Sequence, residues 1–321
     1  MIILGCDSGS TKIAYAVCSG DGRLLARREF PGITLFRGGQ DTWMADLAGQ
    51  ISQTLADAGL HPDDVDSAAF GLTGYGETED SVRLMEEGAA RALPRARRIL
   101  ANDSVVGWSG ALRCQPGIHV VSGTGSVAYG EDGRGGAARA GGWSVYFGDE
   151  GSSYWAAVKG INAFFRQADG RMPRTMLFDY FMELFRLSDP LHMPGAFEEA
   201  TEGGKADRVA AFQRHVSELA KRGDPCALEI YRQAGEALAA LVTALKTRLH
   251  FPEDETIRVT YSGGLFRNGA CVLDPFRAIT EAQGCRVETP AYGPLAGAVG
   301  YAARDLLSAG ALERVMAAAD A

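Results

Sequence analysis

Residues 2–23 read IILGCDSGSTKIAYAVCSGDGR, and residues 118–134 read IHVVSGTGSVAYGEDGR. Each stretch is an apolar run, a turn of glycine and hydroxyl residues, a second apolar run and a closing DGR turn. Short apolar runs bounded by such turns are typical of β-strands. Because the same arrangement occurs twice in one chain, the sequence predicts two related domains, each with a glycine-rich and hydroxyl-rich turn after a strand.

The segments outside these two stretches alternate between strand and helix patterns. Apolar spacing predicts the order β-β-β-α-β-α-β in the first part of the chain, and mostly helix in the second part. The expected fold class is therefore α/β. The segment 188–206 includes Pro190, Pro194, Gly203 and Gly204 and is predicted to be a surface loop. Predicted helices cover 41–58 (with Asp41 as the cap), 80–92, 152–167, 175–187, 207–221, 225–249, a run to Ala282, and 294–308, and further strands cover 67–72, 98–101 and 258–261.

Composition and charge argue against several classes of function. The 321 residues include 40 acidic and 32 basic side chains, a net charge of −8 that does not favour binding to nucleic acid. No apolar run approaches the roughly 18–20 residues that span a bilayer, so no membrane partner is expected. The six cysteines form no CxxC pair. This spacing indicates small buried side chains in a reduced, cytoplasmic protein rather than a metal site.

Two motifs resemble known phosphate-binding loops without meeting their requirements. GCDSGSTK lacks the order of a P-loop, because Lys12 follows the hydroxyl residues and a strand pattern comes next. Residues 123–128, GTGSVA, match GxGxxA, but the dinucleotide motif requires a helix where this chain continues as a strand. Neither a P-loop nor a dinucleotide-binding fold is predicted.

The two glycine-rich turns can instead act together on a nucleotide. Their backbone N–H groups and hydroxyls are suited to surround an anion such as a phosphate. Asp7, at the end of the first strand, supplies a carboxylate of the kind that Mg²⁺ accepts beside phosphate oxygens. The alternative is a pair of ordinary hairpin turns, with Asp7 bonded to its own backbone. The internal repeat favours the nucleotide interpretation, with the candidate residues Gly9, Ser10, Thr11, Lys12, Gly123, Thr124 and Gly125.

Asp103 is the candidate general base. It follows the strand predicted over 98–101 and opens a helical pattern. A carboxylate at the tip of a strand can take a proton from a substrate hydroxyl during phosphoryl transfer. The alternative is a helix N-cap, a role that Asn102 or Ser104 could also fill.

A glycine-rich segment in the second half offers residues for a polar ligand. Trp143 follows Gly141 and Gly142 and could line a pocket, and Asp149 could bond a polyol. The alternative places Trp143 in the core and makes Asp149 or Glu150 a cap for the helix near residue 152.

The turn Ser262-Gly263-Gly264 follows the strand at 258–261. Its two glycines carry no side chain, so the backbone can approach a flat group such as adenine closely. The alternative is a simple turn from strand to helix. The five histidines are scattered and suggest no metal site.

Taken in order, these motifs resemble a known family. DSGSTK with its DGR turn, Asp103 after a strand, SGTGSVAYG, GGWSVYFGDEGSSYW and YSGGLF together resemble the BadF/BadG/BcrA/BcrD ATPase-type family. Within it, they are most similar to the N-acetylglucosamine and glucosamine kinases of the actin/hexokinase/Hsp70 superfamily. The similarity extends over roughly residues 1–305, and the GGW…GDEGS…YW segment is its most specific part.

The resemblance implies two ribonuclease-H-like (actin-like ATPase) domains with a nucleotide cleft between them. The implied limits are 1–112 for the first domain and 113–293 for the second, with a C-terminal helix at 294–321 that packs back on the first. It implies ATP and Mg²⁺ as cofactors and a small-molecule sugar as substrate. It also implies a homodimer.

The resemblance further assigns roles to residues. Asp103 would take the proton from the 6-hydroxyl of the sugar. Asp7 would hold Mg²⁺, with Thr11 and the turn 123–126 at the phosphates, and Ser262, Gly263 and Gly264 near adenosine. The residues implied to contact the sugar are Ser126, Gly142, Trp143 and Asp149.

Two departures leave the acceptor sugar open. Some members place an asparagine after the third strand, whereas residues 30–36 of this chain contain none, and eukaryotic members have a polar residue where this chain has Val127. N-acetylglucosamine or glucosamine is the expected acceptor, and another amino sugar or polyol is compatible. Two other functions stay open: an ATPase that activates an iron–sulfur dehydratase or reductase, which needs cluster-binding cysteines, and a sugar sensor without catalytic activity.

Overall fold

The computed structural model describes residues 1–9, 12–33, 39–252 and 254–321. Ser10 and Thr11, both predicted nucleotide contacts, lie outside these ranges, as do positions 34–36 of the loop that lacks the asparagine. The described chain divides into two compact units. The first unit combines Met1–His119 with Thr289–Ala321, and the second is Val120–Glu288.

The first sheet has five strands in the order β3-β2-β1-β4-β5. β1 pairs antiparallel with β2, which pairs antiparallel with β3, whereas β1, β4 and β5 run parallel. The carboxyl ends of the three parallel strands therefore lie at one edge of the sheet, the usual position of sites in such sheets. The elements are β1 Ile2–Ser8, β2 Lys12–Ser19, β3 Leu24–Pro31, α1 Gln40–Ala56, β4 Ser67–Leu72, α2 Glu79–Ala92, β5 Arg97–Ala101 and α3 Asp103–Leu112.

The second sheet also has five strands, in the order β10-β9-β6-β7-β8. β9 and β10 are parallel, and β7 and β8 form an antiparallel hairpin. The strands are β6 Gly117–Ser122, β7 Ser126–Glu131, β8 Ala137–Gly141, β9 Ile257–Ser262 and β10 Cys285–Glu288. The helices are α4 Ser153–Ala168, α5 Met176–Leu184, α6 Met193–Ala200, α7 Ala206–Ala211, α8 Gln213–Lys221, α9 Pro225–Arg248 and α10 Ala270–Glu281.

The C-terminal segment returns to the first unit as two helices, α11 Pro294–Ala303 and α12 Ala309–Asp320. Glycines let α11 approach its neighbours at backbone distance. A Cβ on Gly5 of β1 would lie 2.6 Å from the Val299 nitrogen, and one on Gly297 would lie 2.0 Å from the Val106 carbonyl oxygen of α3. Buried α11 is thus part of the core of the first unit.

The α/β fold class is confirmed, and several local predictions are wrong. Segment 188–206 is mainly a 3₁₀ turn followed by α6, because Asp189 caps the turn and prolines at 190 and 194 occupy first-turn positions that tolerate proline. The helix predicted over 207–221 is two helices, α7 and α8, and the single C-terminal helix is also two. Strands β8 and β10 were not predicted. Gly39, and not Asp41, precedes α1.

Among the described residues, no helix is long and apolar enough to cross a membrane. All six cysteines are free thiols, and four of them are buried. Within the described ranges, no group of three histidine, cysteine or acidic side chains could hold a metal ion by itself.

Candidate functional site

Three polar residues meet at the carboxyl edge of the first sheet. Asp7 is the penultimate residue of β1, Thr73 follows β4, and Asp103 follows β5 as the first residue of α3. The Thr73 hydroxyl donates to the Ser8 carbonyl oxygen at 2.6 Å and lies 3.1 Å from Asp103 Oδ2. The Thr73 hydrogen is shared between these two acceptors, and because a carboxylate oxygen has more than one lone pair, Asp103 Oδ2 can still accept another proton.

Asp103 is not the helix cap. The Asn102 side chain precedes α3 and accepts from the Ser104 backbone N–H at 3.1 Å and from the Ser104 hydroxyl at 2.8 Å. Asp103 Oδ1 also accepts from the Ser104 N–H, at 3.0 Å. Asn102, one of the two other residues considered for this role, therefore caps α3 in place of Asp103. The second carboxylate oxygen of Asp103 faces Thr73.

The two carboxylates at this edge hold their protons unusually tightly. Burial, followed by the negative charge of Asp103, raises the pKa of Asp7 to about 7, while Lys12 opposes the change. Burial also raises the pKa of Asp103, against the lowering effect of the Thr73 hydroxyl. A raised pKa makes a carboxylate a better proton acceptor, and two acids in one polar edge are typical of functional sites.

One backbone N–H group at the turn after β1 is hydrogen-bonded within its own hairpin. The Gly9 N–H donates to the Lys12 carbonyl oxygen at 2.9 Å, so this N–H group is satisfied within the hairpin. The Lys12 ammonium pairs with the Glu29 carboxylate at 2.8 Å, and both side chains are more than half exposed. The hairpin-turn interpretation thus applies to the Gly9 N–H, and contact between Lys12 and a nucleotide stays a prediction.

The corresponding turn in the second unit is bound to the start of α4. Gly123 donates its N–H to the Gly125 carbonyl oxygen at 2.9 Å, and the Gly123 carbonyl oxygen accepts from Ser153 at 2.8 Å. Ser122 Oγ donates to the Gly151 carbonyl oxygen at 2.7 Å. Ser152, and neither Asp149 nor Glu150, caps α4. The turn and the segment before α4 therefore form one hydrogen-bonded structure.

Asp149 lies at the centre of this structure. Burial raises the pKa of Asp149, and this effect is larger than the lowering by the backbone N–H groups of Ser126, Trp143 and Ser144, which donate to its carboxylate. Its Oδ1 atom is buried and makes no hydrogen bond to the described residues. A Cβ on Gly125 would lie 2.5 Å from Asp149 Oδ2, so any side chain at position 125 would displace this carboxylate. A buried polar atom without a protein partner calls for an explanation, and a bound ligand or an ordered water would supply one.

The other residues predicted to contact a sugar surround Asp149. Ser126 is buried, and its hydroxyl donates to the Glu150 carbonyl oxygen at 2.8 Å, so it holds the loop rather than presenting a free hydroxyl. Gly142 has a φ of 70°, and its N–H donates to the Ser126 carbonyl oxygen. Trp143 is 72% exposed, which excludes the alternative that it is a core residue.

The turn after β9 lies against β6. A Cβ on Gly263, where φ is 103°, would lie 2.1 Å from the Ser122 carbonyl oxygen, so this position requires glycine. At Gly264 a Cβ would meet no described atom within 4 Å. Gly263 therefore allows the turn after β9 to pack against the end of β6, whereas Gly264 has open space beside it. The predicted role of Ser262, Gly263 and Gly264 beside adenosine stays a prediction.

Comparison with known sequences decides the family. The sequence profile of the BadF/BadG/BcrA/BcrD ATPase family matches residues 4–303. The chain belongs to this family. The predicted resemblance is confirmed, and as a member of the BadF/BadG/BcrA/BcrD ATPase family the chain uses ATP.

Two curated relatives match most of the chain. An N-acetylmuramic acid/N-acetylglucosamine kinase of Clostridium acetobutylicum is 26% identical over 276 residues, 86% of this chain and 89% of the relative. An N-acetyl-D-glucosamine kinase of Dictyostelium discoideum is 24% identical over 273 residues, 82% and 85% of the two chains.

Solved structures of similar fold cover nearly the whole chain. A protein from Chromobacterium violaceum assigned as an N-acetylglucosamine kinase has a TM-score of 0.73 at 27% identity, covering 93% of this chain and 97% of its own. A glucokinase of the ROK family from Streptomyces griseus has a TM-score of 0.54 at 19% identity, covering 96% and 99%. The second likeness, at low identity, supports the two-sheet α/β fold alone.

Sequence reasoning missed two residues of the site. Thr73 follows β4 as Asp103 follows β5, so the strand-end argument applied to Asp103 could also have found it. Arg139, whose guanidinium lies 5.4 Å from the centre of the Trp143 ring, had no signal in the sequence because β8 was not predicted.

Proposed function

We propose that this member of the BadF/BadG/BcrA/BcrD ATPase family is a kinase that transfers the γ-phosphoryl group of ATP to an N-acetylated amino sugar. The expected acceptor atom is the 6-hydroxyl of N-acetylglucosamine or a close analogue. One structural observation carries the proposal: the Asp103 carboxylate stands at the end of a parallel strand, in contact with Thr73 and near the second acid Asp7. Burial raises the pKa of both acids. The names of both curated relatives support the same activity.

Asp103 is proposed as the general base. Its Oδ1 atom accepts from the Ser104 N–H, and its Oδ2 atom lies 3.1 Å from the Thr73 hydroxyl, which also donates to the Ser8 carbonyl oxygen. The carboxylate is thereby oriented without losing its capacity to accept a proton. As the hydroxyl of the sugar attacks the γ-phosphorus, Asp103 Oδ2 takes its proton, and the bond from phosphorus to ADP breaks.

Asp7 is proposed to bind Mg²⁺ together with the phosphates of ATP. The donor chemistry fits, because Mg²⁺ prefers one or two carboxylates completed by water and phosphate oxygens. The pKa of Asp7 is raised by burial and by a neighbouring acid, both of which a cation would offset. When bound, Mg²⁺ would neutralise charge on the phosphates.

The remaining residues are proposed to position the two substrates. Asp149 Oδ1, buried and without a partner among the described residues, is suited to accept a hydrogen bond from a sugar hydroxyl. The exposed ring of Trp143 offers an apolar face for the pyranose or its acetyl group. Gly142 and Ser126 keep the loop in place. The nucleotide is assigned to the turns at Gly9–Lys12 and Gly123–Gly125 and to the segment Ser262–Gly264.

Two further parts of the proposal rest on the resemblance and on cysteine usage. The chain is proposed to act as a homodimer, which the mass in solution from light scattering tests directly. A cytoplasmic location agrees with six free thiols. An iron–sulfur activator is not favoured, because both curated relatives that match most of the chain are named as sugar kinases.

The test is ADP release with Mg²⁺ and ATP against a panel of N-acetylglucosamine, N-acetylmannosamine, glucosamine, N-acetylmuramic acid, glucose and glycerol. Asp103→Asn is compared with wild type, and Asp80→Asn, at a surface ion pair with 84% exposure of the carboxylate, is the matched control. We expect sugar-dependent ADP release that only Asp103→Asn abolishes. ATP hydrolysis that no sugar stimulates, or tight sugar binding without ADP release, would reject the kinase.

A further inference from the structure

The hairpin of β7 and β8 has one buried and one open face. Along β7, the alternation is regular: Ser126, Ala128 and Gly130 are buried, whereas the residues between them are half-buried. Tyr129 lies on the open face, and the register places Arg139 of β8 directly opposite it. Because directly paired residues of antiparallel strands share a face, Arg139 is also on the open side.

The Arg139 guanidinium reaches two residues of the proposed sugar site. It lies 5.4 Å from the centre of the Trp143 ring. Its Cζ atom is 3.8 Å from the position that a Cβ on Gly142 would occupy. Its contact with the Gly142 carbonyl oxygen is 3.5 Å, too long for a strong hydrogen bond. The guanidinium therefore borders the proposed sugar site, and this weak contact is the one hydrogen bond that it donates to the described residues.

No carboxylate of the described chain neutralises this cation. Among the ion pairs of the described residues, none includes Arg139. A second guanidinium, that of Arg248, donates to the Arg139 carbonyl oxygen at 2.6 Å, which adds positive charge to the same region. The protein as a whole carries a net charge of −8. A guanidinium that has no carboxylate partner among the described residues and lies at the border of the proposed sugar site suits an anionic ligand.

We propose that Arg139 is a specificity-determining residue that binds a carboxylate carried by the acceptor sugar, so that the enzyme accepts acidic N-acetylated amino sugars as well as neutral ones. This inference rests on the proposed function and deepens it. A planar guanidinium binds a carboxylate through two parallel hydrogen bonds, an arrangement that lysine cannot reproduce. N-acetylmuramic acid is the suitable probe, because it is N-acetylglucosamine with a lactyl carboxylate attached through an ether.

The experiment measures kcat/KM for N-acetylmuramic acid and for N-acetylglucosamine in wild type, Arg139→Gln and Arg139→Lys. Arg134→Gln is the matched control, since Arg134 is an exposed arginine in the turn of the same hairpin and carries the same charge. We expect Arg139→Gln to lower kcat/KM for the acidic sugar by about 10- to 100-fold, the range of one charge-assisted contact, and for the neutral sugar by no more than about 2-fold. Arg139→Lys is expected to recover part of the loss, and Arg134→Gln to resemble wild type.

Added salt gives an independent measurement. In wild type, raising the salt concentration should increase KM for the acidic sugar more than KM for the neutral one, because salt screens charge pairs. In Arg139→Gln this difference between the sugars should shrink.

Each contrary result is informative. Equal losses for both sugars in Arg139→Gln would overturn the inference and mean that Arg139 only supports Trp143. Equal losses accompanied by a higher KM for ATP would overturn it in favour of a phosphate contact. Phosphorylation of the neutral sugar alone by wild type would reject the inference while leaving the proposed function intact. Phosphorylation of neither sugar would reject both.

Discussion

Asp103 and its neighbour Asn102 divide two roles that a single residue could have combined. Asn102 satisfies the first turn of α3, while Asp103 keeps one oxygen directed at Thr73. The sequence predicts an acid at the end of a strand but does not decide which residue caps α3, because asparagine and aspartate are both favoured at the N-cap position. Only the side-chain directions separate them. The separation makes stability and catalysis measurable independently.

Asp103→Asn and Asn102→Ala should therefore have opposite signatures. We expect Asp103→Asn to reduce kcat on the order of 10²–10⁴-fold with little change in Tm, because it removes a proton acceptor and keeps the shape. Asn102→Ala should lower the free energy of unfolding by about 1 kcal/mol through loss of the cap and should reduce kcat less. Steady-state kinetics and thermal denaturation of both variants provide the check. A fully active Asp103→Asn enzyme would exclude the base assignment.

Asp7 should give the nucleotide-free protein a characteristic dependence on pH. Its pKa is raised from 3.8 to about 7, so between these values the folded state holds a proton that the unfolded chain has lost. The stabilisation by this proton is complete below the unfolded pKa and is lost as pH rises through the folded pKa. Asp7→Asn should thus become more stable relative to wild type as pH increases from 4 to 7.5. Paired Tm measurements across this range test it, and a constant difference would contradict it.

At the scale of elements, glycines determine which segments can pack together. The α11 helix lies against β1 and α3 because Gly5 and Gly297 allow backbones to touch. The loop that carries Trp143 and Asp149 has positive φ at several positions, among them Ser144 at 109°. Backbone strain of this kind persists only where surrounding contacts hold it in place. Here the Ser144 N–H donates to the buried Asp149 carboxylate.

Gly297→Ala should be strongly destabilising, whereas Gly49→Ala should be mildly stabilising. A Cβ at position 297 would lie 2.0 Å from the Val106 carbonyl oxygen, and one at position 49, within α1, would meet nothing within 4 Å. Alanine at an open helical site is favoured over glycine by about 0.5–1 kcal/mol. Urea denaturation of the two variants measures both effects. Equal stability of the two proteins would show that α11 can shift away from α3.

At the scale of the whole molecule, two units of similar size each have their own five-stranded sheet. The chain crosses from the first unit to the second once and returns with α11 and α12. The first unit is therefore completed only by the C-terminal residues. Nucleotide binding can be measured through the stability of the whole molecule, because a ligand that binds the folded state and not the unfolded state raises the free energy of unfolding.

Mg²⁺ with ADP should raise Tm by a few degrees at concentrations well above Kd, since a hundredfold excess contributes about 2.7 kcal/mol. Removal of Mg²⁺ with a chelator should remove most of this gain. In Asp7→Asn the gain should be small with or without Mg²⁺, because the proposed carboxylate ligand is missing. Thermal scans with Mg²⁺ alone, ADP alone and both are the required controls. An Mg²⁺-dependent gain of wild-type size in Asp7→Asn would assign the ion to other residues.

The sequence by itself determined the α/β class, the repeated strand-turn-strand units, most helices, and the acids at the strand ends. These features depend on local periodicity and turn residues, which the chain carries regardless of its surroundings. Only the tertiary structure revealed β8 and β10, because such short strands form through pairing with β7 and β9. The proximity of Thr73 to Asp103, the unpartnered Oδ1 of Asp149 and the position of Arg139 over Trp143 were likewise decided in three dimensions. Contacts between residues distant in sequence depend on packing and register, which no local pattern specifies.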